Sequence, residues 1–325
     1  MVSGKSRAGC VVTGVAGFVG SHLAERLLAL HHTVVGVDNF FSGFERNLIN
    51  LREKPGFHFY ERSVTERGLL SDLRRRHPEL QYCFHLAAIV SVPYSMDHSE
   101  ETMEINHGAT VQLLEEAGSL GYKAFLFAGS AAEYGDDQRL PLREEYAGQG
   151  TVHPSPYGRS KYMASEAVGA SPIGVALRCF NIFGPRQDPR SPYSGVISKF
   201  VALALSGRQL TIFGDGLQTR DFIYVEDIVA AYLQAAGLSS TSGMVPPGIY
   251  NAGTGRGINV LELANAIFEV TARSVGWVLL PERPGDIRHS VASVEALTRV
   301  SRWAPRVSLR EGLSATVQWT RESTL

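Results

Sequence analysis

Cysteine is scarce in this chain, and its three copies, Cys10, Cys83 and Cys179, lie far apart with no Cys-x-x-Cys. That spacing suggests neither a disulfide framework nor a thiolate zinc site. His31-His32 and the remaining histidines show no metal-ligand spacing and read as loop or packing residues, so no metal is expected. Long apolar runs are missing too: none reaches the roughly 18 residues a membrane-crossing helix needs. The segment from Met1 to Gly9 is polar and lacks an apolar signal core. The expectation is a cytoplasmic protein with no membrane partner. An excess of one charge is also absent, since 31 Lys and Arg offset 32 Asp and Glu for a net charge of −1. Nothing there provides the basic footprint that nucleic acid requires. Internal repeats and low-complexity tracts are not seen. What remains is an ordinary globular composition, 44% hydrophobic and 19% charged over 325 residues, enough for one bilobal unit or two domains.

What is present begins at Val11-Val12-Thr13-Gly14-Val15-Ala16-Gly17-Phe18-Val19-Gly20. A short apolar run enters a Gly-x-x-Gly-x-x-Gly turn, and a helical pattern follows with Val19, Leu23, Leu27 and Leu28 on one face. Glycines there let backbone approach a pyrophosphate, whose charge is favoured at a helix N-terminus. A second apolar run, Thr33 to Val37, ends in Asp38 about 20 residues on, where a carboxylate accepts hydrogen bonds from an adenosine ribose. An acid there repels a 2′-phosphate, and no arginine stands beside it, which favours NAD over NADP. The bland alternative is a structural βαβ unit without a ligand.

Strand-like and helix-like runs alternate to about residue 180. Tyr82–Leu86 ends at Ala87-Ala88, Ala124–Ala128 ends at Gly129-Ser130, and Val175–Phe180 closes the series. Continuous apolar strands between helices predict a parallel sheet covered on both faces. Gly184 to Pro192 is too rich in Pro and Gly for a regular element and is taken as a lobe boundary; Ser239 to Gly248 reads as an exposed loop.

Ser155-Pro156-Tyr157-Gly158-Arg159-Ser160-Lys161 holds the most telling pair. Four apart on a helix, Tyr157 and Lys161 share one face. A phenol with an ordinary pKa of about 10 is a poor base at neutral pH, and a neighbouring ammonium favours the phenolate. Tyr157 could then take a proton from an alcohol or sugar hydroxyl. The other reading is a plain amphipathic helix start.

Taken together the chain resembles the extended short-chain dehydrogenase/reductases, and within them the nucleotide-sugar 4-epimerases, nearly end to end. The resemblance runs through Thr13 to Gly20, Asp38-Asn39-Phe40 with Ser42-Gly43, His85-Leu86-Ala87-Ala88, Asn106, and Ser130 to Tyr134-Gly135. It continues through Tyr157-x-x-x-Lys161, Arg178-Cys179-Phe180-Asn181, Phe213 to Gly216, Arg220-Asp221-Phe222 and Arg283-Pro284-Gly285-Asp286. It implies an α/β architecture, a Rossmann-type doubly wound parallel sheet with a smaller α/β substrate-binding lobe. Residues 1–180 would bind NAD, with 219–254 returning to them, and 181–218 with 255–325 would bind a nucleotide sugar. It further implies a UDP-sugar substrate and a homodimer.

By the same resemblance Tyr157, Lys161 and Ser130 are the catalytic group. Gly14, Gly17, Phe18, Val19, Gly20, Asp38, Asn39, Phe40, Ser42, Gly43, Ser63, Val64, Leu86, Ala87, Ala88 and Asn106 would line the cofactor, together with Tyr157 and Lys161. Ser91, Ser130, Asn181, Val196, Thr211, Phe213, Arg220, Arg283, Asp286 and Ser290 would meet the substrate, plain core packing being the alternative for Phe213. Where family dehydratases carry an Asp-Glu pair, and decarboxylases the second Glu, this chain has Ala131 and Ala132. The small Ser290 leans toward N-acetylhexosamines, with glucose and uronic acids left open. Two departures stand out. Ser63 replaces an acid that would meet adenine, and Glu133 replaces an apolar residue. Because a similar Glu occurs in 4-ketoreductases of deoxysugars, that activity is the second expectation. An NAD-sensing protein without catalysis is the third.

Overall fold

The computed structural model describes residues 7–189, 195–239, 243–282 and 287–323. The chain forms two compact units of three segments each. Met1–Gly129, Ser155–Leu177 and Tyr232–Ile249 make the first; Ser130–Pro154, Arg178–Ala231 and Tyr250–Leu325 make the second. Thus residues 232–249 of the stretch 219–254 count with the first unit and its remainder with the second, as does 130–154.

In the first unit the apolar runs become β1 (Gly9–Thr13), β2 (Thr33–Asp38), β3 (Phe57–Glu61), β4 (Leu80–His85), β5 (Ala124–Ser130) and β6 (Gly174–Cys179). With the strand Gly248–Ala252 they form one seven-stranded sheet, ordered from that strand through β6, β5, β4, β1 and β2 to β3. β1 runs parallel to β2 and β4, β2 to β3, and β4 to β5. Every residue of β1, β2 and β6 is buried, so these strands are covered on both faces and mostly apolar rather than alternating, with Thr13, Thr33, Asp38 and Arg178 as their buried polar members. Helices Leu69–Arg76, Ala109–Ser119 and Pro156–Gly169 set Leu69, Leu73, Leu113, Ala164 and Val168 against Val11, Val35 and Phe125. Each such leucine contributes about 1.5–3 kcal/mol of burial. Helix α1 (Phe18–Ala29) packs on β1 and β2 through Leu23, Ala24 and Leu27.

Strand order reverses between β1 and β4. The chain leaves β1 towards β2 and β3, then crosses back to β4 on the other side of β1. Loops leaving the carboxyl ends of these two strands diverge and open a crevice, the place where sheets of this kind bind ligands.

The crevice floor is polar and fully bonded. Thr13 Oγ1 accepts from the amides of Leu86 and Ala87, each at 3.2 Å, and donates to His85 Nδ1 at 2.7 Å. His85 Nε2 meets Thr110 Oγ1 at 3.0 Å, and the Thr110 hydroxyl donates to the Asn106 carbonyl at 2.7 Å. Because the Thr110 proton is committed, Nε2 must carry the imidazole proton. Burial, and then the charge of Lys161, lower the His85 pKa to about 3.

The second unit is a smaller α/β assembly. Asn181–Phe183 pairs in parallel with Phe222–Tyr224, and Leu210–Phe213 with Trp277–Leu280. Thr219–Arg220 lies between Ile258–Asn259 and His289–Ser290. Helices Val196–Leu205, Val260–Thr271 and Leu309–Ser323 pack on one another. Among the described residues no helix is long and apolar enough to cross a membrane.

The neutral His85 yields a stability prediction. Unfolded, an imidazole takes its proton near pH 6.5, whereas the folded one holds out to about 3. Acid therefore favours the unfolded chain through that window, by about 1.4 kcal/mol per pH unit. Urea denaturation from pH 6.5 to 5 should show wild type losing stability more steeply than His85→Asn by that amount. Parallel slopes would exclude a neutral buried imidazole.

Candidate functional site

The glycine turn is built by close backbone approach. Gly14 has φ +69°, and a Cβ there would lie 2.8 Å from the Ala87 amide nitrogen, on the loop after β4. A Cβ on Gly20 would overlap the Gly14 carbonyl. The turn closes through Gly14 N to Val37 O at 2.8 Å and Gly17 N to Gly14 O at 3.0 Å. Gly17 is the N-cap of α1 and supplies no side-chain cap. The first intrahelical bond is Ser21 N to Gly17 O, so the amides of Phe18, Val19 and Gly20 precede it and suit a pyrophosphate. A side chain would fill this cradle; a dinucleotide backbone fits it.

Asp38, at the end of β2, is buried. Its carboxylate accepts from Ala16 N at 2.9 Å and Phe40 N at 2.8 Å, tying its loop to the glycine turn. Burial raises its pKa, and bonds from Phe40, Ala16 and Asn39 oppose that. Gly43 is needed here because a Cβ would lie 2.7 Å from the Ala16 methyl. Phe40 adopts φ +57° and its ring meets Phe59, centroids 5.4 Å apart; Asn39 accepts from Phe41 N. Ser42 lies in the same loop. After β3, Ser63 bonds Thr65 through its hydroxyl and Glu66 through its amide, and Val64 is buried.

Ser155 caps the helix Pro156–Gly169 by accepting from Gly158 N, with Pro156 in the first turn. Tyr157 and Lys161 are one helical turn apart. Lys161 is 3% exposed; its Nζ donates to Ala128 O at 2.8 Å and lies 4.7 Å from the Phe127 ring centroid. Asn106 sits within a π-helical turn, Glu104–Gly108, a feature frequent at functional sites. Its side chain clamps Ile89 by both N–H and C=O and donates to Ser160 Oγ at 3.1 Å. That use of both amide ends makes it a positioner of the Leu86-Ala87-Ala88 loop. Ser91 follows the same loop and caps Val92–Asp97.

In the second unit Ser130 ends β5 and caps a single turn, Ala131–Tyr134. Asn181 N bonds Asp221 O at 2.9 Å. Arg220 and Ser290, 70 residues apart in sequence, are register partners on adjacent strands. Asp221 anchors the neighbouring turn, accepting from Thr254 N, Gly255 N and Ala292 N. Thr211 and Phe213 share the half-buried face of their strand, while Leu210 and Ile212 enter the core. Phe213 is therefore half-buried. Val196 opens its helix half-buried. Arg283 and Asp286 lie outside the described residues.

Sequence reading left several of these residues without roles. Thr13, His85 and Ser160 stand inside recognised motifs, yet only spatial pairing reveals their bonds; Thr110 carried no signal. Among the described residues no group of three His, Cys, Asp or Glu could hold a metal ion.

A family model described as the NAD dependent epimerase/dehydratase family matches residues 10–253. The UDP-glucose 4-epimerase of Mycolicibacterium smegmatis is 34% identical over 318 residues, covering 96% of this chain and 98% of that protein. A UDP-N-acetyl-alpha-D-glucosaminuronate decarboxylase of Bacillus cytotoxicus is 33% identical over 96% of this chain and 98% of its own. The crystal structure of a Thermotoga maritima UDP-glucose 4-epimerase with UDP-glucose matches with a TM-score of 0.88 at 33% identity, covering 98% of this chain and 100% of that one.

Asp38→Ala should weaken NAD binding and relax discrimination against NADP, because the carboxylate both repels a 2′-phosphate and ties two loops together. Titration of the purified protein with each dinucleotide measures this; an unaltered preference would remove Asp38 from the ribose.

Proposed function

The chain belongs to the NAD dependent epimerase/dehydratase family, and from that premise we propose that it interconverts the 4-epimers of a UDP-hexose through a transient 4-keto sugar. The coarser assignment, an NAD-dependent enzyme of nucleotide-sugar modification, follows from membership itself. One observation carries the finer reading: Ala131 and Ala132 offer no acid or base for dehydration or decarboxylation. Tyr157, one helical turn before a buried Lys161 anchored on Ala128 O, supports the oxidation at C4 that all these reactions share. The argument for a ketoreductase was Glu133, and Glu133 is wholly buried in an ion pair with Arg178.

When bound, NAD supplies the hydride acceptor and donor for C4. Tyr157, its phenolate favoured by the cation beside it, takes the proton from the sugar 4-hydroxyl and later returns it. Ser130 donates a hydrogen bond to the reacting oxygen. Arg220 suits the diphosphate, with Asn181 as a further donor, and Phe213 with Thr211 and Val196 offers a surface to the base.

Incubation with UDP-glucose, UDP-N-acetylglucosamine and their uronic acids, without added cofactor, should yield 4-epimers. Turnover only with added NADPH would overturn the reading. Tyr157→Phe should keep the fold and bound NAD while cutting kcat by about 10² or more; near-normal turnover would remove Tyr157 as the base.

Ser290 sets the preference between sugars. It is 5% exposed, and overpacking costs about 1–3 kcal/mol, so Ser290→Tyr should lower turnover of UDP-N-acetylglucosamine about tenfold more than of UDP-glucose. Melting temperatures of both proteins control for stability, and equal losses on both sugars would mean Ser290 does not face the substrate.

A further inference from the structure

Glu133 is one of the two departures from the family pattern, and its surroundings explain it. It belongs to the turn Ala131–Tyr134 that Ser130 caps. One carboxylate oxygen accepts from the Ser130 amide at 2.7 Å; the other accepts from Arg178 Nε at 2.5 Å. Both side chains of the pair are 0% exposed. Arg178 in turn donates to Glu144 O at 2.8 Å and lies 5.2 Å from the Tyr134 ring centroid. Tyr134 donates to Asn251 Oδ1, and Asn251 donates to the carbonyls of Leu142 and Ser293. The arginine is thus fixed in a frame, and the carboxylate is fixed by the arginine.

A buried ion pair is a poor source of stability, because removing both charges from water offsets their attraction and an apolar pair of similar volume often does as well. What an apolar pair lacks is an acceptor for the Ser130 amide. With that amide held, Ser130 Oγ accepts from Ala132 N at 3.2 Å, which sets the rotamer of the hydroxyl. Among the described residues the hydroxyl donates to no protein acceptor, so its proton is left for a ligand.

We propose that Glu133 and Arg178 are positioning residues that orient the Ser130 hydroxyl toward the reacting sugar oxygen. The proposal rests on the role given to Ser130 in the reading above. It also accounts for a charged residue in a turn that otherwise needs none.

Three variants and two readouts test it. Glu133→Met with Arg178→Met removes both charges, and it should fold and retain NAD while kcat falls at least tenfold at unchanged KM. In a Ser130→Ala background the same pair of changes should cause no further loss, since Glu133 acts only through Ser130. Glu133→Gln keeps an acceptor for the Ser130 amide but removes the carboxylate charge that faces Arg178. It should be the less stable protein and yet the more active. A purely structural pair predicts the opposite ranking, with activity following stability, and that ranking would overturn the proposal, as would multiplying losses in the Ser130→Ala background. Exchange of the Ser130 amide, which needs no substrate, should be at least tenfold faster in the Met–Met protein; unchanged exchange overturns the proposal whatever the activity. Faster exchange in a protein whose wild type makes no 4-epimers would reject the reaction while supporting the hold of Glu133 on Ser130.

Discussion

The first unit depends on a single chain of hydrogen bonds that crosses its sheet at the point where strand order reverses. It starts at the Leu86 and Ala87 amides, passes through Thr13, His85 and Thr110, and ends on the Asn106 carbonyl. From Asn106 a branch continues through Ser160 to the carbonyl of Tyr157. Each internal member both donates and accepts, so its protons all point one way. This arrangement lets polar groups lie in the crevice floor at no desolvation penalty beyond that of a satisfied network. It also binds the glycine turn, the loop after β4 and the helix of Tyr157 into one rigid body.

Buried and half-buried carboxylates do comparable service elsewhere by gripping backbone amides. Glu116 accepts from Gly68 and Leu70, and Asp227 from Arg306 and Val307. Asp38 and Asp221 do the same in their own loops. For Asp38, Asp221 and Asp227, burial raises the pKa and the amides pull against it. Irregular loops carry amides that no strand or helix can satisfy. A short acid side chain satisfies two or three of them at once, which is how these connections stay ordered beside a ligand site.

The sheet was legible because two-faced burial leaves an unmistakable trace. Val34–Val37 and Ala124–Ala128 carry no polar side chain, and the strands found differ from those expected by a residue or two at their ends. The glycine turn and Asp38 were legible for a related reason, since close backbone approach admits few residue types. What was not legible rests on pairings with no period in the chain. His85 finds Thr13 across 72 residues and Thr110 across 25, and Arg220 meets Ser290 only through strand register. Glu133 could be seen as unusual, but nothing near it in sequence points to Arg178. Phe213 was ambiguous because a four-residue strand is too short for its two faces to be told apart.

The way the chain is divided has a consequence for descent. Each unit is assembled from three segments that alternate with those of the other, so the chain passes between units five times. No single break separates them. Genetic exchange that joins the front of one such gene to the back of another would hand each unit a mixture of two parents. Variation in these enzymes would then be expected to accumulate by residue replacement within one scaffold, and the lobes would be inherited together rather than traded like beads on a string.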